Sequence, residues 1–143
     1  MVRIIILFLI PLLLISCQNP PNGQTAFEAE GSRKPSISQD TAQKMRAEVQ
    51  AMSEVDHVTS VSLEDDVYMT LTVTGFQRLF LEKIRKTAFD RAKKVDKNTT
   101  VHISTDRKVD MELKELEKKV YRNEITKKDL EKELMKVEDD MKG

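Results

Sequence analysis

Between Val67 and Gly75 apolar and polar side chains alternate without a break: Val67, Met69, Leu71 and Val73 on one parity, Tyr68, Thr70, Thr72 and Thr74 on the other. Successive side chains of a strand point to opposite faces, so this register commits one sheet face to burial and predicts a wet face on the other. Gly75 ends the alternation and the period changes. Residues 76–95 contain neither Gly nor Pro, and Phe76, Phe80, Ile84, Ala88, Ala92 and Val95 fall within one broad stripe at 100° per residue. A half-buried strand followed at once by an amphipathic helix is the arrangement every other segment has to accommodate.

The neighbouring segments supply what that pair lacks. Ser38 or Asp40 can cap a helix whose apolar residues Ala42, Met45, Val49 and Met52 recur at spacings of three and four. Val58 to Leu63 reads as a strand, separated from the alternating one by the turn Glu64-Asp65-Asp66. Thr99 to Thr105 reads as a third strand, with Val101 and Ile103 facing opposite to Thr100, His102 and Ser104. The order helix, strand, strand, helix, strand predicts an α+β domain over residues 39–106, a three-stranded sheet with two helices on one face.

Residues 107–143 follow as a charged helical tail with eleven basic and eleven acidic residues. Val109, Leu113, Leu116 and Val120 make one apolar seam, and Leu130, Leu134, Val137 and Met141 another. Between them Thr126-Lys-Lys-Asp129 has the form of a capping box, with Ile125 placed to pack on Leu130 as a hydrophobic staple. A helical hairpin turning near residues 122–125 fits this pattern best, and one continuous coiled-coil helix is the rival. Both seams are narrow and heavily charged at their margins. They therefore need each other, the domain or another chain to stay ordered, and contact with a protein partner or a second copy of the chain, through Leu116, Leu130, Leu134 and Val137, is favoured slightly over packing within the molecule.

The start of the chain is of a different kind. After Arg3 an apolar run extends from Ile4 to Ile15, interrupted only by Pro11, and ends at the small residue Ser16. This is the layout of a signal peptide, over residues 1–16, and it is too short to cross a hydrocarbon layer roughly 30 Å thick. Leu14-Ile15-Ser16-Cys17 resembles the bacterial lipobox, in which a branched apolar residue and a small residue precede an obligatory cysteine. On that reading Cys17 carries a thioether-linked diacylglycerol and anchors the chain on the extracytoplasmic face of the cell membrane, since two or three acyl chains hold stably where one does not. Residues 17–38, with Pro20, Pro21, Gly23, Gly31 and Pro35, read as a flexible tether.

The chain offers little for chemistry. Cys17 is its one cysteine, which leaves no intrachain disulfide and no cysteine-based metal cluster. It has two histidines, no Gly-rich phosphate loop and no Gly-x-Ser-x-Gly elbow, so neither an enzyme nor a cofactor nor a small-molecule substrate is expected. The formal charge is zero, with no global field to select nucleic acid. The strongest surface signal is on the second helix, where Arg78, Lys83, Arg85, Lys86, Lys93 and Lys97 project, diluted by Glu82 and Asp90. Such a face can contact an anionic surface at about 1 kcal/mol per basic residue. Leu79 and Phe89 lie outside the main stripe and are expected to meet the tail or a partner.

Together the lipobox at Cys17, the run from Glu54 to Leu63 leading into Val67 to Val73, and Val101-His-Ile-Ser-Thr-Asp-Arg107 before a helix resemble the YhcN/YlaJ-type sporulation lipoproteins of endospore-forming bacteria. The likeness spans roughly residues 42–116, and Val101, Ser104 and Asp106 match the family's third-strand ending with a shift. It implies a non-enzymatic, membrane-anchored role in spore formation, germination or outgrowth, at the forespore or spore membrane, and brings no catalytic residue. The same element order is also similar to the ring-building modules of secretion and sporulation channels, which makes a scaffold of an envelope assembly the alternative.

Overall fold

A computed structural model describes residues 34–142; the expected signal peptide, Cys17 and the expected tether up to residue 33 lie outside the described residues. Ser32–Gly143 forms a compact unit. Its elements run α1 (Asp40–Gln50), β1 (His57–Leu63), β2 (Asp66–Thr72), a 3-10 turn (Gly75–Phe80), α2 (Leu81–Val95), β3 (Thr100–Ser104), α3 (Arg107–Tyr121) and α4 (Lys127–Lys142).

The sheet has the order β1-β2-β3. β1 and β2 form an antiparallel hairpin with Val61 opposite Tyr68, and β3 lies parallel to β2 with Ile103 opposite Met69. Parallel neighbours require a crossover, which the 3-10 turn and α2 provide. The fold is α+β as expected, with α1 and α2 on one face. Ala42, Met45 and Val49 of α1 and Ile84, Ala88 and Ala92 of α2 pack there against Val58, Val67, Met69, Leu71 and Val101.

The other face is covered as well, which corrects the expectation of a wet side. Val61, Leu63 and Tyr68 pack against Val109, Leu113, Leu116 and Val120 of α3 and Leu130, Leu134 and Val137 of α4. The hydroxyl residues on that face looked solvent-facing because their partner is remote in sequence. Asp110 of α3 accepts from Thr59 Oγ1 at 3.0 Å and from Thr70 Oγ1 at 2.6 Å, so both threonines are buried without losing a hydrogen bond.

The tail is a hairpin. α3 stops at Arg122, with Asn123 in the left-handed region at φ 57°. The Asn123 N–H donates to the Val120 carbonyl and the Glu124 N–H to the Lys119 carbonyl, the paired bonds of a Schellman stop. Thr126 then caps α4: its Oγ1 accepts from the Asp129 N–H at 3.2 Å and donates to the Asp129 carboxylate at 2.7 Å, while Ile125 packs half-buried on the same core as Leu130.

Two local expectations change. Asp40 is the first residue of α1 rather than its cap; the residue before it, Gln39, is buried, and its side chain reaches across to β1. The tether was expected to run through Ser38, but residues 36–38 engage the fold. The Ser36 N–H donates to Asn123 Oδ1 at 2.7 Å, Ile37 packs on the second core, and the Ser38 carbonyl accepts from Ser62 Oγ at 3.0 Å.

Candidate functional site

Buried polar groups in this fold hold the fold itself together. The outward N–H groups of the edge strand β1 are taken up one after another by side chains: Val58 by Gln50 Oε1 at 2.9 Å, Ser60 by the Glu117 carboxylate, and Ser62 by Gln39 Oε1 at 2.8 Å. An edge so occupied is closed to a further strand. Glu117 also accepts from Arg46 at 2.7 Å, and burial pushes its carboxyl above the ordinary value in spite of that cation. Burial acts the same way on Asp110, but hydrogen bonds from Lys114, Thr70 and Thr59 outweigh it and hold this carboxyl low.

The histidines are likewise part of the scaffold. His102 stacks on Tyr68 with ring centroids 4.5 Å apart and lies 3.2 Å from Asp66. Burial, with Asp66 and Glu138 nearby, pushes the Tyr68 phenol up to about 12. His57 lies at the start of β1, where burial, Arg46 and Lys114 lower its pKa. Among the described residues no group of His, Cys, Asp and Glu is arranged to hold a metal ion, and no helix is long and apolar enough to cross a membrane.

The residues expected to contact a partner are buried within the chain. Leu116, Leu130, Leu134 and Val137 are at most 5% exposed and face the sheet. The seams are the inner faces of a covering layer, which corrects their assignment as an outward contact. What α3 and α4 present outward is Met111 and Met135, and Met111 lines a groove of about 660 Å³ with lysines and glutamates at its margin.

The basic face divides in two. Lys93 is turned inward, its ammonium donating to the Lys97 and Thr99 carbonyls at 2.6 and 2.7 Å, and so pins the connection from α2 to β3. Arg85 donates to Thr105 Oγ1 at 2.9 Å and is half-buried. Arg78, Lys83, Lys86 and Lys97 remain exposed, outside the ion pairs that engage Lys108, Lys114, Lys118, Lys127, Lys136 and Lys142.

Beside these cations stands a feature the helical stripe concealed. Phe76 and Phe80, assigned from their spacing to the core, are 87% and 55% exposed, and Leu79 between them is 78% exposed. The reason is local. Gly75, at φ 55°, turns the chain out of β2 into a 3-10 turn with no buried residue, and its 120° step takes Phe76 and Phe80 out of phase with Ile84, Ala88 and Ala92. Phe89 is 40% exposed on α2, and like Leu79 it lies outside the core that contains the tail.

Two recesses flank the turn. A cleft of about 480 Å³ at the carboxyl ends of β2 and β3 has Arg78, Arg107 and Lys114 on its walls. The acids there are already engaged, Asp106 as the cap of α3 and Asp110 on Thr59 and Thr70. A smaller crevice of about 250 Å³ lies between Phe80, Lys83 and Met52. Arg107 is a part of this surface that sequence reasoning missed. The apolar density of the turn was readable: Phe76, Leu79, Phe80 and Leu81 within six residues exceed what one helical face can bury.

Comparison of the sequence with known protein families and with curated proteins gives no match.

Proposed function

We propose that the chain is a lipid-anchored protein of the extracytoplasmic membrane face that acts by binding rather than by catalysis. The observation that carries this is Leu14-Ile15-Ser16-Cys17, set after a short apolar leader. The use of Asp110, Glu117, His102 and Lys93 as structural groups supports a binding role, since each is engaged by a neighbour that fixes an element of the fold. The resemblance to YhcN/YlaJ-type lipoproteins gives the process as spore formation, germination or outgrowth.

Expression of the full chain in a bacterium fed a clickable palmitate tests the anchor. Label should enter the chain and be lost in Cys17→Ala, which should also stay uncleaved or leave the membrane fraction. Equal labelling and fractionation of the two chains would refute the lipobox reading. The scaffold alternative shares the helix, strand, strand, helix, strand order, and predicts large symmetric assemblies of the soluble unit in light scattering.

A further inference from the structure

We propose that the Gly75–Phe80 turn is a membrane-inserting wedge, which seats the folded unit on a bilayer of anionic phospholipid independently of any lipid on Cys17. The turn bears Phe76, Leu79 and Phe80, 87%, 78% and 55% exposed, with no buried residue of its own. Side chains so far out of the surface have little protein to pack on, whereas the interfacial zone of a bilayer accommodates aromatic and aliphatic groups at the depth of the headgroups.

Charge distribution favours lipid over a protein partner. Arg78 is inside the turn itself, Lys83 and Lys86 follow on the first turns of α2, and Arg107 shares the adjoining cleft with Arg78. An apolar tip flanked by Arg78, Lys83 and Lys86, which outnumber Glu54 and Glu82 beside it, matches the layering of acyl chain below phosphate, and each basic side chain near such a surface strengthens binding roughly fivefold. Arg78 and Arg107 line one cleft with Lys114, and the acids there, Asp106 and Asp110, are engaged by the fold, which leaves the two arginines for a headgroup phosphate. The chain outside the structure adds proximity, a point that rests on the lipid-anchor reading: about fifteen residues separate Cys17 from Ser32, so even fully extended at roughly 3.4 Å each they hold the unit within about 50 Å of the lipid.

The test uses the Ser32–Gly143 unit, which contains both apolar cores and lacks Cys17, so that its outcome is separate from that of the lipidation experiment. The chain contains no tryptophan, so Leu79→Trp and, as a control on the outer face of α3, Met111→Trp each supply a single fluorophore. With circular dichroism confirming the fold, the unit should co-sediment with phosphatidylglycerol vesicles and much less with phosphatidylcholine, and raised salt should weaken the binding. Leu79→Trp emission should shift to the blue and be quenched by brominated lipid, with Met111→Trp unaffected. Phe76→Ser combined with Leu79→Ser should weaken binding at least tenfold, and Lys83→Gln or Lys86→Gln roughly fivefold each. Folded protein that ignores anionic vesicles, or that binds them equally well without the apolar tip, would overturn the proposal. So would a dimer in solution that the Phe76→Ser, Leu79→Ser variant abolishes, because the tip would then be covered by a second copy.

Discussion

The Arg46 guanidinium donates to the Glu117 carboxylate at 2.7 Å, joining α1 on one face of the sheet to α3 on the other around the edge strand β1. The same carboxylate accepts the outward N–H of Ser60, so one side chain binds the two helical layers and the strand between them. Removing the cation leaves the buried carboxylate only the Ser60 N–H and the more distant Lys114. Because Arg46 is 31% exposed, Arg46→Met should cost about 2 kcal/mol, below the full range for a buried pair. Glu117→Gln keeps an acceptor for Ser60 and should cost about 1 kcal/mol. Urea unfolding of both single variants and the double variant, read as a cycle, measures the coupling.

The buried Glu117 and the half-buried Asp110 should act on stability in opposite directions. Burial raises the Glu117 value above 4.5, so the folded state holds its proton more tightly, and the contribution of Glu117 is greatest below 4.5 and declines as pH rises through its folded value. For Asp110, burial also acts upward, but Lys114, Thr70 and Thr59 bring the value below 3.8. Its contribution is complete above 3.8 and is lost as pH falls through the folded value. Stability measured across acid pH should accordingly show a smaller low-pH fall in Asp110→Asn and a smaller decline above pH 4.5 in Glu117→Gln.

Gln39 acts as a side-chain strand on β1, donating from Nε2 to the Ser62 carbonyl at 2.9 Å and accepting the Ser62 N–H at 2.8 Å. Gln39→Ala strips both partners from a buried peptide group and should destabilise by about 1–3 kcal/mol. It also reopens part of the edge, so concentrated protein should aggregate faster than the parent in a turbidity assay.

Gly75 is the pivot between strand and wedge. A methyl group added there meets nothing within 4 Å, so any cost of Gly75→Ala comes from the backbone at φ 55° and should be about 1 kcal/mol in thermal unfolding.

The first core was legible in the sequence because its signals are local. The alternation from Val67 to Val73 and the spacing of Ile84, Ala88 and Ala92 each report one face, and Thr126 with Asp129 reports the start of α4 within four residues. The second core was not, because Thr59 and Thr70 find their acceptor 51 and 40 residues away on Asp110, and hydroxyl residues without a near partner read as wet. The candidate surface was half legible. The cations of α2 were evident, but the exposure of Phe76 and Phe80 depends on a change of helical pitch at Gly75 that a fixed 100° step does not register. The charged margins of α3 and α4 suggested a solvated pair seeking a partner; in the fold they are tied by Lys108 to Asp140 at 2.7 Å, and α4 is tied to the hairpin turn by Lys127 to Glu64 at 2.5 Å.

The central claim is that this charged hairpin is the second covering layer of one fold rather than an oligomerisation arm. Leu134 is 2% exposed between α4 and the sheet, and a lysine there would bury an unpaired charge. Urea unfolding of Leu134→Lys in the Ser32–Gly143 unit, with the mass in solution measured alongside, addresses the claim most directly. A loss of more than about 3 kcal/mol, or outright unfolding, at every protein concentration is the result expected for an intrachain core. A variant that keeps the parent's stability while an oligomer of the parent dissociates would contradict it.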